Sequence, residues 1–89
     1  MWFVYVLRSK RDGSSYIGCT GDLKKRLSEH KEGKSKYTRD KRPWKLIYYE
    51  YCLNKRDAFR RERYLKSGWG TKWLKVRLKS HWERIEIIK

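Results

Sequence analysis

Trp2-Phe3-Val4-Tyr5-Val6-Leu7-Arg8, then Asp12-Gly13-Ser14-Ser15, then Tyr16-Ile17-Gly18-Cys19-Thr20: the reading of this run decides the fold. Its two flanks are rich in β-branched and aromatic residues, which suit a pleated surface, and the polar cluster between them is turn chemistry. The run predicts a β-hairpin. If it turns around residues 10 to 14, Tyr5 and Tyr16 lie on paired strands, close enough for their rings to face one pocket.

Thr20, Gly21 or Asp22 can cap a helix that starts near Leu23 and runs through Leu27 and His30 until Gly33 stops it. Residues 34 to 45 are polar and basic, with Tyr37 and Trp44 interleaved and Pro43 punctuating them, which predicts an exposed loop. Residues 45 to 52 read as a third strand. Asn54 or Asp57 opens a second helix through Ser67, Gly68 and Gly70 break it, and Thr71 can cap a third helix carrying Trp73, Leu74, Leu78 and, as a further candidate, Trp82. The Ile85, Ile87 and Ile88 tail is ambiguous. The expected architecture is α/β of the α+β, sandwich-like kind. A three-stranded antiparallel sheet is flanked by about three helices in the order β-β-α-β-α-α, all in one domain over residues 1 to 89.

Eighty-nine residues suffice for one small core, and with 16% aromatics that core is expected to rely on Trp, Tyr and Phe. Twenty-five Lys and Arg against ten Asp and Glu leave a net charge of +15, which calls for a polyanion partner. Nucleic acid ranks first, because such charge releases counterions from phosphates. A membrane surface is not expected, since no segment joins a basic face to an uninterrupted bulky apolar one. The apolar opening is cut short by Arg8-Ser9-Lys10-Arg11, which argues against a signal peptide or a membrane span and for a cytoplasmic protein. Cys19 and Cys52 lack C-x-x-C spacing and read as buried free thiols.

Three placements invite a chemical reading. Ala58, Glu62 and Leu65 share one helical stripe, which sets a carboxylate on the core-facing side, where an anion is costly unless it is paired or bound to a metal. A salt bridge to an arginine, or a partly exposed edge position, is the plain alternative. Arg26 and His30 sit four apart beside the Leu23 and Leu27 seam and can address one ligand from neighbouring turns, or belong to a solvated basic helix. Tyr5 and Tyr16 are either core aromatics or catalytic phenols, and a phenol of pKa about 10 needs nearby positive charge to act as a base.

Taken in order, these residues resemble the GIY-YIG nuclease superfamily, in its small single-domain branch. The likeness covers about residues 2 to 79. Phe3-Val4-Tyr5 stands at the first half-motif and Tyr16-Ile17-Gly18 at the second, and Thr20-Gly21-Asp22-Leu23-Lys24-Lys25-Arg26-Leu27 with His30 resembles the helix that follows. Lys36-Tyr37-Thr38-Arg39 and Pro43-Trp44-Lys45-Leu46 resemble the stretch before the third strand. Ala58-Phe59-Arg60-Arg61-Glu62 resembles the helix with the metal carboxylate, and Lys66-Ser67-Gly68 with Trp73-Leu74 its continuation. The chain departs in having Phe-Val where the motif has Gly-Ile, and its single asparagine, Asn54, precedes Glu62 where many members carry one after the carboxylate.

The resemblance implies a metal-dependent endonuclease acting on DNA with low sequence preference, leaving 3′-hydroxyl and 5′-phosphate ends. Glu62 would hold a divalent cation, Mg²⁺ or Mn²⁺, Arg26 would contact the scissile phosphate, Tyr5 or Tyr16 would activate water, and His30 would assist. Gly18 would let backbone approach the site closely. Lys36, Arg39, Lys41 and Arg42 are expected to bind phosphates, with Tyr37 or Trp44 stacking on bases. DNA is expected ahead of RNA, the chain is expected to be a monomer, and a protein partner is a candidate for targeting. The rival reading is a non-catalytic DNA- or RNA-binding module on the same fold. A structural, ribosome-associated RNA partner is a third.

Overall fold

In the computed structural model, residues 1–82 are described, so the Ile85, Ile87 and Ile88 tail lies outside the described residues. The hairpin forms from β1 (Trp2–Ser9) and β2 (Ser15–Thr20), with Gly13 at φ 78° in the turn. β1 is central: β2 flanks it on one side and β3 (Trp44–Cys52) on the other, both antiparallel, giving the order β2-β1-β3. In the register, Tyr5 stands opposite both Gly18 and Tyr49, and Phe3 opposite Thr20 and Tyr51. A shift between Val6 and Leu7 pairs Leu7 with Leu46, so that Ile47 is the extra residue and Leu46 joins the face that carries Tyr5.

The two faces of the sheet have different fates. Val4 and Val6 point into the core made with α2 (Lys55–Lys66) and α3 (Gly68–Arg77), where Ala58, Leu65 and Leu74 meet them. Trp2 packs on Phe59 and Tyr48 on Trp73 at the margins of that layer. The opposite face, with Phe3, Tyr5, Leu7 and Tyr16, receives α1 (Leu23–Glu32), whose His30 ring meets both Tyr5 and Tyr16. α1 is capped by the Asp22 carboxylate, which accepts from Lys25 N, and closed by Gly33 at φ 80°. Asn54 caps α2.

One expected boundary moves. Gly68 and Gly70 lie inside the first turn of α3, whose cap is Ser67 and not Thr71. Ser67 ends α2 and starts α3 at once, its hydroxyl oxygen accepting from Gly70 N at 3.2 Å. Residues 79–82 are helical, and Trp82 stacks under the Arg8 guanidinium. Cys19 and Cys52 are free thiols, each half-buried. No helix among the described residues is long and apolar enough to cross a membrane.

Candidate active site

Tyr5 projects from the centre of β1 and is 1% exposed. Its hydroxyl lies 2.8 Å from His30 Nε2, and His30 Nδ1 lies 2.7 Å from Thr38 Oγ1. A neutral imidazole has one N–H, so the ring donates one of these bonds and accepts the other. His30 and Thr38 are both buried, which makes a dry line of three polar groups beneath α1. Gly18 makes room for it: the Tyr5 ring lies across the glycine of the partner strand, and a Cβ there would come within 2.5 Å of Tyr5 Cζ. The space expected for close backbone approach is taken by the phenol.

Arg26 comes from α1, one turn before His30, and donates to Glu29 Oε1 at 3.1 Å. Burial pulls its pKa down, but its interaction with the Tyr5 hydroxyl and the bond to Glu29 more than reverse that, so the guanidinium is held firmly charged. The Tyr5 phenol is pushed up to about 12, mainly by burial, with Arg26 pulling the other way and the nearby Tyr16 and Glu62 adding to the rise. His30 is pushed down to about 4, first by burial and then by the Arg26 charge, with Glu29 opposing. At neutral pH the line is therefore an un-ionised phenol against an un-ionised imidazole.

Glu62 reaches the same neighbourhood from α2, on the other side of the sheet, and its charge is felt at both Tyr5 and Cys19. Its side chain is 19% exposed and pairs with Lys66 Nζ at 3.0 Å, so the ion pair expected with an arginine is made with a lysine one turn on. Among the described residues no three His, Cys, Asp or Glu gather as a metal cage. One half-withdrawn carboxylate fits a Mg²⁺-type ion, which keeps several waters and is completed by substrate phosphates.

Tyr16 sits beside the line, 5.2 Å from the His30 ring and 6.4 Å from that of Trp44 between centroids. Trp44 is half-buried and donates its indole N–H to Thr38 O at 2.7 Å, so it braces the loop that carries Thr38. Arg39 and Arg42 turn their guanidinium groups onto the carbonyls of Gly33 and Arg39, and Lys41 lies 3.6 Å from Asp12. Lys36 and Tyr37 stand exposed on the outer side of the loop. Thr38, Glu29 and Lys66 received no role from the sequence. The i, i+3 and i, i+4 spacings of Glu29 and Lys66 were available as signals, whereas Thr38 was marked only as part of the Lys36-Tyr37-Thr38-Arg39 stretch.

A family model described as the GIY-YIG catalytic domain matches residues 1–75. The chain is 40% identical to a UPF0213 protein of Bacillus pumilus over 88 residues, 98% of this chain and 84% of that protein. It is 48% identical over 67 residues to a UPF0213 protein of Clostridium perfringens, covering 74% of this chain and 71% of that one. The solution NMR structure of the UPF0213 protein BH0048 from Bacillus halodurans superposes with a TM-score of 0.54 at 38% identity, over 89% of this chain and 86% of the other. With that match over residues 1–75, these relatives and a three-stranded antiparallel sheet flanked by helices, the chain belongs to the GIY-YIG catalytic-domain family.

Proposed function

We propose that the chain is a metal-dependent endonuclease that hydrolyses DNA phosphodiester bonds with low sequence preference. The observation that carries this reading is the Tyr5–His30–Thr38 line, whose Tyr5 end feels the charges of both Arg26 and Glu62. A binding surface gains nothing from a buried phenol–imidazole pair, whereas hydrolysis needs a path for the proton of the attacking water.

Arg26 takes the scissile phosphate, since a planar guanidinium offers paired donors and stays charged at any working pH. Tyr5 accepts the proton from water. A phenol near 12 does this only by giving up its own proton, and the un-ionised His30 Nε2 is the acceptor in reach. Burial first and the Arg26 charge second disfavour a protonated imidazole; the incoming phosphate counters the Arg26 part, and Glu29 supports the ring once it is charged. Glu62 holds a divalent cation, Mg²⁺ or Mn²⁺, which when bound neutralises charge on the phosphate and stabilises the leaving oxygen. Lys66 must swing aside, and its half-exposed side chain is free to do so.

The test is incubation with supercoiled plasmid, branched DNA and structured RNA in Mg²⁺, Mn²⁺ or chelator, beside Glu62→Gln. Cation-dependent cutting by the natural chain and none by the variant, with binding retained in both, is the expected result. Equal cutting by both removes Glu62 from the mechanism. Tight binding with no cutting of any substrate makes the chain a nucleic-acid-binding module.

A further inference from the structure

α1 has two flanks, and only one faces the chemistry. At a hundred degrees per residue, Arg26 and Glu29 fall to one side of the Leu23–His30 seam, and Lys24 and Lys31 to the other. On that second side a groove opens between α1 and the sheet. Its two parts, about 810 and 450 Å³, share Leu27 as a common wall. The larger has Leu7, Leu46 and Trp44 in its lining, and the smaller has Phe3.

Beyond Phe3, in the lining of the smaller part, the open sheet face is aromatic. Tyr49 and Tyr51 point to the same sheet face as Tyr5, yet they are 53% and 47% exposed. Phe3 joins them, its ring 6.2 Å from Tyr49 and 5.5 Å from Tyr51 between centroids. Aromatic rings on an uncovered sheet face mark a contact surface. The rim is cationic: Lys10, Arg11, Lys31, Arg39 and Arg42 line the larger part against a single acid, Asp40. Arg11, Arg39 and Arg42 are tied to backbone carbonyls, which fixes their positions without neutralising their charge.

We infer that this groove is a second nucleic-acid site, which takes an unpaired single strand with its bases on Phe3, Tyr49 and Tyr51 and its phosphates on Lys24 and Lys31. Charge complementarity selects a polyanion, and the exposed rings select its strandedness. A ring can stack on a base only when the face of that base is free, as in a single strand and not within a duplex. His30 also lines the larger part, so the groove meets the cleavage centre there; the rings and lysines assigned here lie across α1 from Arg26, and binding to them does not depend on cleavage.

Binding of a fluorescent oligothymidylate and of a hairpin duplex is measured by anisotropy in chelator, using the full chain, Tyr49→Ala/Tyr51→Ala and Tyr49→Phe/Tyr51→Phe. The alanine pair is expected to weaken single-strand binding by about fivefold or more. Duplex binding should be unchanged, and the phenylalanine pair should restore the single-strand affinity. A separate Lys24→Gln/Lys31→Gln variant, altered only at exposed positions, should flatten the single-strand salt slope by about 1.4, near 0.7 for each lost phosphate contact. Circular dichroism confirms that each variant is folded. Equal losses on both ligands, or none on either, overturn the inference. So does conversion of a dimer to a monomer by the alanine pair in sedimentation, which would make this face an interface between two copies.

Discussion

The Tyr5 ring stands where a side chain at Gly18 would have to be. The two residues are opposed across β1 and β2, and a Cβ on Gly18 would lie 2.5 Å from Tyr5 Cζ. The glycine of the Tyr-Ile-Gly motif thus serves a tyrosine in the neighbouring strand, letting its phenol lie flat and aim at His30. Gly18→Ala should force the ring aside, at a cost of about 1–3 kcal/mol for overpacking, read as a lower melting temperature. Cleavage should fall by about a hundredfold, because the hydroxyl is displaced from its partner. A variant that keeps both its stability and its cutting rate would separate the glycine from the placement of Tyr5.

His30 links stability to pH, and burial sets the sign. Burial first and the Arg26 charge second hold its folded pKa near 4, below the ordinary 6.5, against the opposing pull of Glu29. The unfolded chain therefore binds the proton more readily. The contribution is complete above pH 6.5 and is lost as pH falls from 6.5 toward 4, about 3 kcal/mol for the full shift. Urea unfolding across that window should show a steeper loss for the natural chain than for His30→Gln. Parallel curves would mean that His30 titrates alike in both states.

What could be read from the sequence, and what could not, divides by the range of the interactions. The hairpin, Asp22 and Gly33 at the ends of α1 and Asn54 ahead of α2 all follow from residues within a few positions of each other. The α2–α3 corner does not, because two glycines in sequence look like a break and the reason they continue a helix is a contact between helices. A Cβ on Gly70 would lie 2.7 Å from the backbone carbon of Tyr64, whereas one on Gly68 meets nothing within 4 Å. The candidate site divides the same way: Tyr5, Arg26, His30 and Glu62 are candidates that motif order can nominate, while Thr38 is placed by a loop folded through Ser9 and Trp44.

That corner gives a paired prediction. Gly70→Ala meets backbone, which has no rotamer to yield, and should destabilise by about 2 kcal/mol or more. Gly68→Ala meets open space and should stabilise by roughly 0.5–1 kcal/mol, through the entropy that a helical glycine loses on folding. Thermal melts of the two variants should move in opposite directions. A shared direction would mean that the two glycines are held by the same constraint.

Thr38 is the test of the buried line. Thr38→Val keeps the shape and removes the hydroxyl, leaving His30 Nδ1 buried with no partner, a loss of about 1–3 kcal/mol. The ring is then free to turn, so kcat should fall while KM is little changed. Thr38→Ser should recover most of both. If valine is as active as threonine, the orientation of His30 is set by Tyr5 and packing alone.

Arg26 binds Glu29 and reaches Tyr5 with one planar group, which a lysine cannot reproduce. Arg26→Lys keeps the charge, so nucleic-acid affinity and its salt dependence should hold. The second donor toward the phosphate is lost, and with it stabilisation that matters most as charge builds in the transition state, so kcat should drop by about a hundredfold to a thousandfold. Glu29→Gln should cost less, since the guanidinium keeps its charge and loses only a brace. The comparison decides between two uses of the arginine. If lysine cuts at the natural rate, Arg26 serves as a point charge that attracts the polymer; a loss confined to kcat assigns its paired donors to the scissile phosphate.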